Sequence, residues 1–368
     1  LFAAIYVLLH LIITTYMLMK KKMDGFILFL LSALTFILLF LKPDTFDILN
    51  YTDAVGYVSY FTFEPLFSIT LMVLRNFLSP RLTIWVVQFV ILIISYLIVS
   101  ITTKSAGEND IASIVKYFIL VVLMPGFLLG FSNALRQCLA GLLMILSIQY
   151  LVRKKYSLSF LLFFLGIMFH FSLIFVVPLL FLAVILNKCQ VRGIPYTRVN
   201  GITIRARFSI PFTFFLISIP YMLIFLIFPS TTSIFLSTDY GFYFNALFIE
   251  GRQPLYLKII FVITSYVGSL VFAKFRFERF NVSKIDIHHE NQEFLVLTNN
   301  LRLILLTVSV LFITDPLWWE AGSRVLYYYY VVEMFWMVKA FQMGYLYSPL
   351  WAFFVNTFAM NVWNILNG

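Results

Sequence analysis

Between Ser132 and Ser172 the chain reads SNALRQCLAGLLMILSIQYLVRKKYSLSFLLFFLGIMFHFS. Two apolar runs flank the basic triplet Arg153, Lys154 and Lys155, and the far end of each carries one ionisable group, Arg136 or His170. Apolar runs of this kind satisfy their backbone polar groups in lipid only by forming helices, so the stretch reads as a helical hairpin in a bilayer. Short basic clusters between spans face the cytoplasm, which sends Arg136 and His170 together to the opposite membrane face.

The rest of the chain obeys the same constraint. With 62% hydrophobic residues, 19% aromatic, 11% charged and a mean hydropathy of +0.97, it lies far outside the soluble range. The expected fold is all-α: a polytopic integral membrane protein with about 11 to 13 transmembrane helices in a single domain over 1–368. The apolar runs exceed strand length, which argues against an outer-membrane barrel. The net charge of +10 is not a nucleic-acid footprint, because Lys and Arg gather in short inter-span segments. Cys138 and Cys189 fall near opposite faces, so neither a disulfide nor a metal cluster is expected.

Expected spans alternate in direction along the chain. Leu1–Met19 ends at the cytoplasmic Lys20, Lys21 and Lys22, and 25–41 returns outward. An outer segment over 42–82 follows, too polar to cross lipid in its first half. Its second half, EPLFSITLMVLRNFL, begins with a helix-starting Pro65 and is short enough for a half-helix. Ile114–Phe131 crosses outward to Ser132, and 172–187 descends to an inner loop over 188–207 that holds five cations and no acid. Phe208–Phe228 leads to an outer loop at 229–255, Tyr256–Ala273 to a charged inner loop at 274–294, and Leu295–Thr314 to the outer loop DPLWWEAGSR ending at Arg324. Tyr327–Met343 and Leu350–Leu366 complete the count. Sixteen lysines and arginines fall on the inner side and six outside, a bias that fixes the orientation. No internal repeat of the kind built into many secondary transporters is present.

Ionisable groups at the outer helix ends are the candidate chemistry, because charges at lipid depth are costly unless they face a wet cavity. Arg136, with Asn133 and Gln137 beside it at a helix start, suits an anion such as a pyrophosphate, although an interfacial arginine reaching for lipid phosphates is the plain alternative. His170 can orient or deprotonate a hydroxyl near neutral pH, or simply hydrogen-bond at the interface. Glu64 either acts as an acid or base or caps its own helix. Asp53, with Tyr51 and Tyr57, has the look of a sugar-contacting patch. Arg324 follows Glu320 at i, i+4, the spacing of an ordinary ion pair, and Arg252 lies among aromatics in the 229–255 loop. The tryptophans and tyrosines at 318–330 read as an interface belt. No Walker A, dinucleotide-binding, metal-spacing or nucleophile-elbow pattern occurs, so no cofactor and no metal is expected.

Four ordered stretches carry a family resemblance: NYTDAVGYVSY followed by FEPLF (50–67), NALRQCLAGLLMILSIQYLVRKK (133–155), FHFSLIFVVPL (169–179) and SRVLYYY (323–329). Together they resemble the EpsG/Wzy-type family of bacterial polysaccharide polymerases, which build O-antigen, capsule or exopolysaccharide. The resemblance implies a metal-independent, GT-C-like glycosyltransferase in the bacterial inner membrane, with its active site facing the periplasm. It implies undecaprenyl-pyrophosphate-linked oligosaccharide as substrate, membrane lipids as surroundings and a chain-length regulator protein as a further partner. In this reading Arg136 and Arg324 hold the pyrophosphate, and His170, Asp53 or Glu64 activates the acceptor hydroxyl. An O-antigen ligase and a flippase for lipid-linked oligosaccharide are the competing readings. A ligase is expected to carry a longer external loop, and a flippase to spread its charges through mid-helix positions.

Overall fold

The computed structural model describes residues 12–17, 24–41, 46–60, 62–105, 107, 110–132, 134–192, 289–313 and 319–342. The expected spans at 208–228, 256–273 and 350–366, the loop at 229–255, and the candidates Asn133 and Arg252 lie outside the described residues, as does the side chain of Glu320. Among the described residues the fold is helical throughout, with no strand.

The elements run α1 (Gly25–Leu41), α2 (Phe46–Val55), α3 (Pro65–Arg75), α4 (Pro80–Ser105), α5 (Ile111–Leu123), α6 (Pro125–Ser132), α7 (Leu135–Val152) and α8 (Tyr156–Phe169). A 3-10 turn over Phe171–Phe175 leads into α9 (Val176–Arg192), and α10 (His289–Ile313) and α11 (Trp319–Gln342) follow. The 26-residue α4 and the 18-residue α7 are long and apolar enough to cross a membrane. At about 1.5 Å per residue they reach about 39 and 27 Å, matched to a hydrocarbon core of about 30 Å. α3 has 11 residues, which is about 16 Å and too short to span.

Ile114–Phe131 is not the single straight span expected from its apolar run. It is two helices, α5 and α6, bent by 70° at the break between them, and the pair counts as a third span only if taken together. Pro125 explains the break: it lacks an N–H, and its ring pushes Met124 into an extended conformation (ψ 140°). The start of α5 is fixed by Asp110, whose carboxylate accepts from the Ser113 N–H at 3.0 Å.

The hairpin of α7 and α8 turns at the basic triplet. Lys154 adopts positive φ (60°), its N–H donates to the Leu151 carbonyl, and the Lys155 N–H donates to that of Tyr150, both at 2.9 Å. This crossed pair of bonds is a Schellman motif, and it satisfies the last carbonyls of α7 while three cations complement the helix dipole. At the other end of α8, Gly166 lets the helix close on α7: a Cβ there would lie 3.2 Å from the Ala140 carbonyl oxygen and 2.7 Å from Leu173 Cδ2. The His170 N–H then donates to the Gly166 carbonyl at 3.0 Å and the chain leaves the helix.

α7 and α11 form the buried centre, packed against each other and against α4, α8 and α10. α4 instead turns Trp85, Phe89, Ile93 and Leu97 outward as an apolar face. Two further differences from the sequence reading concern α11. The helix begins at Trp319, so Arg324 stands in its second turn and not in a loop. Tyr327 to Tyr330 are all buried within the protein and do not form an interface belt. They fit because α6 is trimmed to glycine where it meets them: a Cβ on Gly130 would lie 1.7 Å from the Tyr327 hydroxyl, and one on Gly126 2.8 Å from Tyr330 Cβ.

Candidate functional site

The ends of α7, α8 and α11 and the start of α3 meet at one place. Glu64 immediately precedes Pro65, the first residue of α3, and its carboxylate makes no cap bond to that helix. The carboxylate is instead shared: Oε2 receives Arg136 Nη1, and Oε1 faces His170 Nδ1. His170 then meets Arg324 on its other edge, Nε2 lying 3.0 Å from Arg324 Nη1. The result is a continuous relay, Arg136–Glu64–His170–Arg324, drawn from four separate elements. Glu64 and His170 are 2% exposed at their side chains, while Arg136 keeps 16%.

Arg136 is boxed by aromatics. Its guanidinium lies 4.8 Å from the Phe63 ring centroid, 5.7 Å from Tyr51 and 6.0 Å from Phe67, and Nε donates to the Tyr51 hydroxyl at 3.3 Å. The three rings pack edge to face among themselves at 5.5–5.7 Å. Ring faces attract the guanidinium and hold its plane, so the box positions a charge that water would otherwise leave mobile. Arg324 is positioned through its backbone: Gln137 Nε2 donates to the Arg324 carbonyl at 2.6 Å. One turn on, the Tyr328 hydroxyl and Ser172 Oγ lie 3.1 Å apart, tying α11 to the 3-10 turn beside His170.

The protonation pattern follows from these partners. Burial alone would raise the Glu64 carboxyl, but its hydrogen bond with His170 and the Arg136 charge outweigh it and hold it at about 2. Burial lowers His170, the Glu64 hydrogen bond opposes this, and the Arg324 and Arg136 charges add to it, leaving the imidazole at about 4. At neutral pH the centre therefore holds, among the described residues, one carboxylate, one neutral imidazole and two guanidiniums. An excess positive charge beside a neutral base suits an anionic group next to a hydroxyl that must lose a proton.

Of the residues singled out from sequence, the structure thus gathers Tyr51, Glu64, Arg136, Gln137, His170 and Arg324. Asp53 and Tyr57 stand apart: both are exposed, and Asp53, two residues along α2 from Tyr51, faces away from the box. Gln137 turns its amide to a backbone carbonyl. Phe63 and Phe67 went unassigned from sequence; Phe63 directly precedes Glu64 and Phe67 lies in the first turn of α3. Also unassigned was a second charged cluster between α10 and α11. There Arg302 Nη2 and Tyr329 Oη both donate to Glu333 Oε1 at 2.8 Å, and the Arg302 guanidinium stacks 3.7 Å from the Trp336 ring centroid. Its signal was an Arg and a Glu inside two apolar runs. Among the described residues no three His, Cys, Asp or Glu side chains converge as a metal-binding set.

Comparison with known proteins adds one firm result. The profile of the EpsG family matches residues 25–363, nearly the whole chain, and includes every element of the site. No curated protein and no solved structure matches.

Proposed function

This chain belongs to the EpsG family, and on that premise we propose that it is a membrane-embedded glycosyltransferase that joins lipid-linked oligosaccharide repeat units into a surface polysaccharide. The observation that carries the reading is the buried relay Arg136–Glu64–His170–Arg324, two cations and a base brought together where an apolar bundle would otherwise exclude charge. We further propose a GT-C-like bundle of about 11 to 13 spans in the bacterial inner membrane, with the relay at the periplasmic face and undecaprenyl pyrophosphate as the lipid carrier. The inner-side bias of lysine and arginine supports that orientation.

In the proposed reaction the donor is the growing glycan on its lipid diphosphate, and Arg136 and Arg324 bind the diphosphate oxygens. The acceptor is a hydroxyl of a fresh repeat unit. His170 takes the hydroxyl proton, the oxygen attacks the anomeric carbon of the donor, and the bond to the diphosphate breaks with its electron pair passing to the leaving oxygen. Charge developing on that oxygen is met by the two guanidiniums, which makes a metal unnecessary. Glu64 is committed to Arg136 and His170, so its role is to position both and to stabilise the imidazolium once formed. Asp53, exposed and apart, is set aside as the base.

Deletion of the gene tests the reading. A polymerase deletion leaves single repeat units and no long chains, whereas a ligase deletion leaves full-length chains on the carrier lipid. Full-length surface polysaccharide in the deletion strain overturns the proposal.

A further inference from the structure

The relay fixes the state of His170 without reference to pH. An ionised carboxylate only accepts hydrogen bonds and a guanidinium only donates them. With Glu64 on Nδ1 and Arg324 Nη1 at 3.0 Å on Nε2, the proton must sit on Nδ1 and the Nε2 lone pair must accept from Arg324. That lone pair is the one a general base needs, and here a guanidinium occupies it. The resting site is thus complete in its parts and blocked at the working atom.

What removes the block is written in the chemistry of the blocker. A guanidinium binds an ionised phosphate through two parallel N–H···O bonds between full opposite charges, a geometry that its planar fork matches. Imidazole offers Arg324 a single neutral nitrogen. The α11 backbone is held where Gln137 grips the Arg324 carbonyl at 2.6 Å and where Tyr328 meets Ser172 at 3.1 Å, so the side chain can turn while the helix stays. Glu64, boxed with Arg136, continues to hold Nδ1 and keeps the imidazole in the same tautomer.

We propose that binding of the donor diphosphate draws the Arg324 guanidinium off His170 Nε2 and so switches on the base. This rests on the functional reading above and deepens it. The diphosphate is both leaving group and activator, and the acceptor hydroxyl can be deprotonated only when a donor is in place. The hydroxyl proton passes to Nε2, the new glycosidic bond forms at the anomeric carbon, and the diphosphate leaves with the electron pair of the broken bond. The imidazolium, stabilised by Glu64, returns its proton to the departing diphosphate or to water, and Arg324 then closes on Nε2 again.

The test uses the full chain in lipid nanodiscs with 15N-labelled histidine at pH 7.5. The chain has four histidines, and the His170 signals are identified by their loss in His170→Gln. Inorganic pyrophosphate is the probe, with its binding followed by calorimetry. The expected result is a shift of the Nε2 resonance from a hydrogen-bonded to an unbonded, still unprotonated nitrogen, with Nδ1 unchanged. Arg324→Met should place Nε2 at that end point without pyrophosphate. An Nε2 signal that stays put at saturation, absence of pyrophosphate binding, or a wild-type Nε2 position in folded Arg324→Met each overturns the proposal. Chain elongation by His170→Gln separates the two readings: if elongation persists, the base role itself fails. If it is lost while Nε2 never moves, only the unmasking fails.

Discussion

Two buried charge clusters share α11 and are built on opposite plans. Nine residues inward from Arg324, Glu333 meets Arg302 with both side chains at 0–1% exposure, and Tyr329, Asn299 and Trp336 contact the pair. One positive charge faces one negative charge, and both come from two helices that pack along their lengths. At Arg324 the cluster, among the described residues, holds two guanidiniums, one carboxylate and the imidazole between them; four elements contribute, and Arg136 keeps an open edge. A fully buried pair of opposite charges between two packed helices acts as a register pin. A cluster richer in cations and exposed at one edge fits the anion site proposed above.

Breaking the closed pair should have the largest effect on stability and the least specific effect on chemistry. Glu333→Ala strands the Arg302 charge in the core and should cost about 3–5 kcal/mol, read as lowered membrane abundance and thermal midpoint. The double change Arg302→Met with Glu333→Leu should recover most of it. If Glu333→Ala is as abundant and as stable as wild type, the pin reading is wrong. Breaking the open cluster should do the reverse. Arg324→Ala should lower the elongation rate by about 10²–10³-fold at normal abundance, the usual loss for one preorganised donor at a transition state. Arg136→Lys should also fail to restore activity, because an ammonium cannot fill the planar aromatic box as a guanidinium does.

Acidity sharpens the contrast next. Because His170 is held at about 4, below the ordinary imidazole value of 6.5, it is already neutral throughout pH 5 to 7.5. The elongation rate at low donor concentration, which reports the donor-free protein, should show no inflection near 6.5 in that window, and an inflection there would mean that the resting relay is not formed. The linkage has a definite sign. Unfolded His170 binds a proton below 6.5 and the folded group only below about 4, so stability falls as pH drops between those values. Glu64, held at about 2 against an ordinary 4.5, adds a further loss from 4.5 downward. The smallest effect lies away from both clusters. Lys154→Gly relieves a side chain from positive φ at the hairpin turn and should raise stability by about 1 kcal/mol without altering elongation.

The hairpin with the basic tip was legible because its two determinants are local: spanning-length apolar runs and a cation cluster between them. Arg136 and His170 stood out for the same reason, as ionisable groups at the far ends. What joined them was not legible. Glu64 reaches His170 across 106 residues and Arg136 across 72, and no periodicity reports a contact between elements so distant. The capping alternative for Glu64 was sound on local grounds and lost to tertiary partners. The break at Pro125 was underread because Leu128, Leu129 and Phe131 beyond it keep the run apolar, whereas proline acts on the backbone and not on hydropathy. The start of α11 at Trp319 was hidden by the polar look of WEAGSR, which has ordinary helix formers around one glycine.

The most direct test of the account is an assay of the purified protein in liposomes with lipid-diphosphate-linked repeat units as both donor and acceptor. Wild type should convert single units into a ladder of longer lipid-linked chains with release of one lipid diphosphate per bond, while folded Arg136→Ala should leave the units single. A ladder of equal length from Arg136→Ala, or none from the wild type, would contradict it.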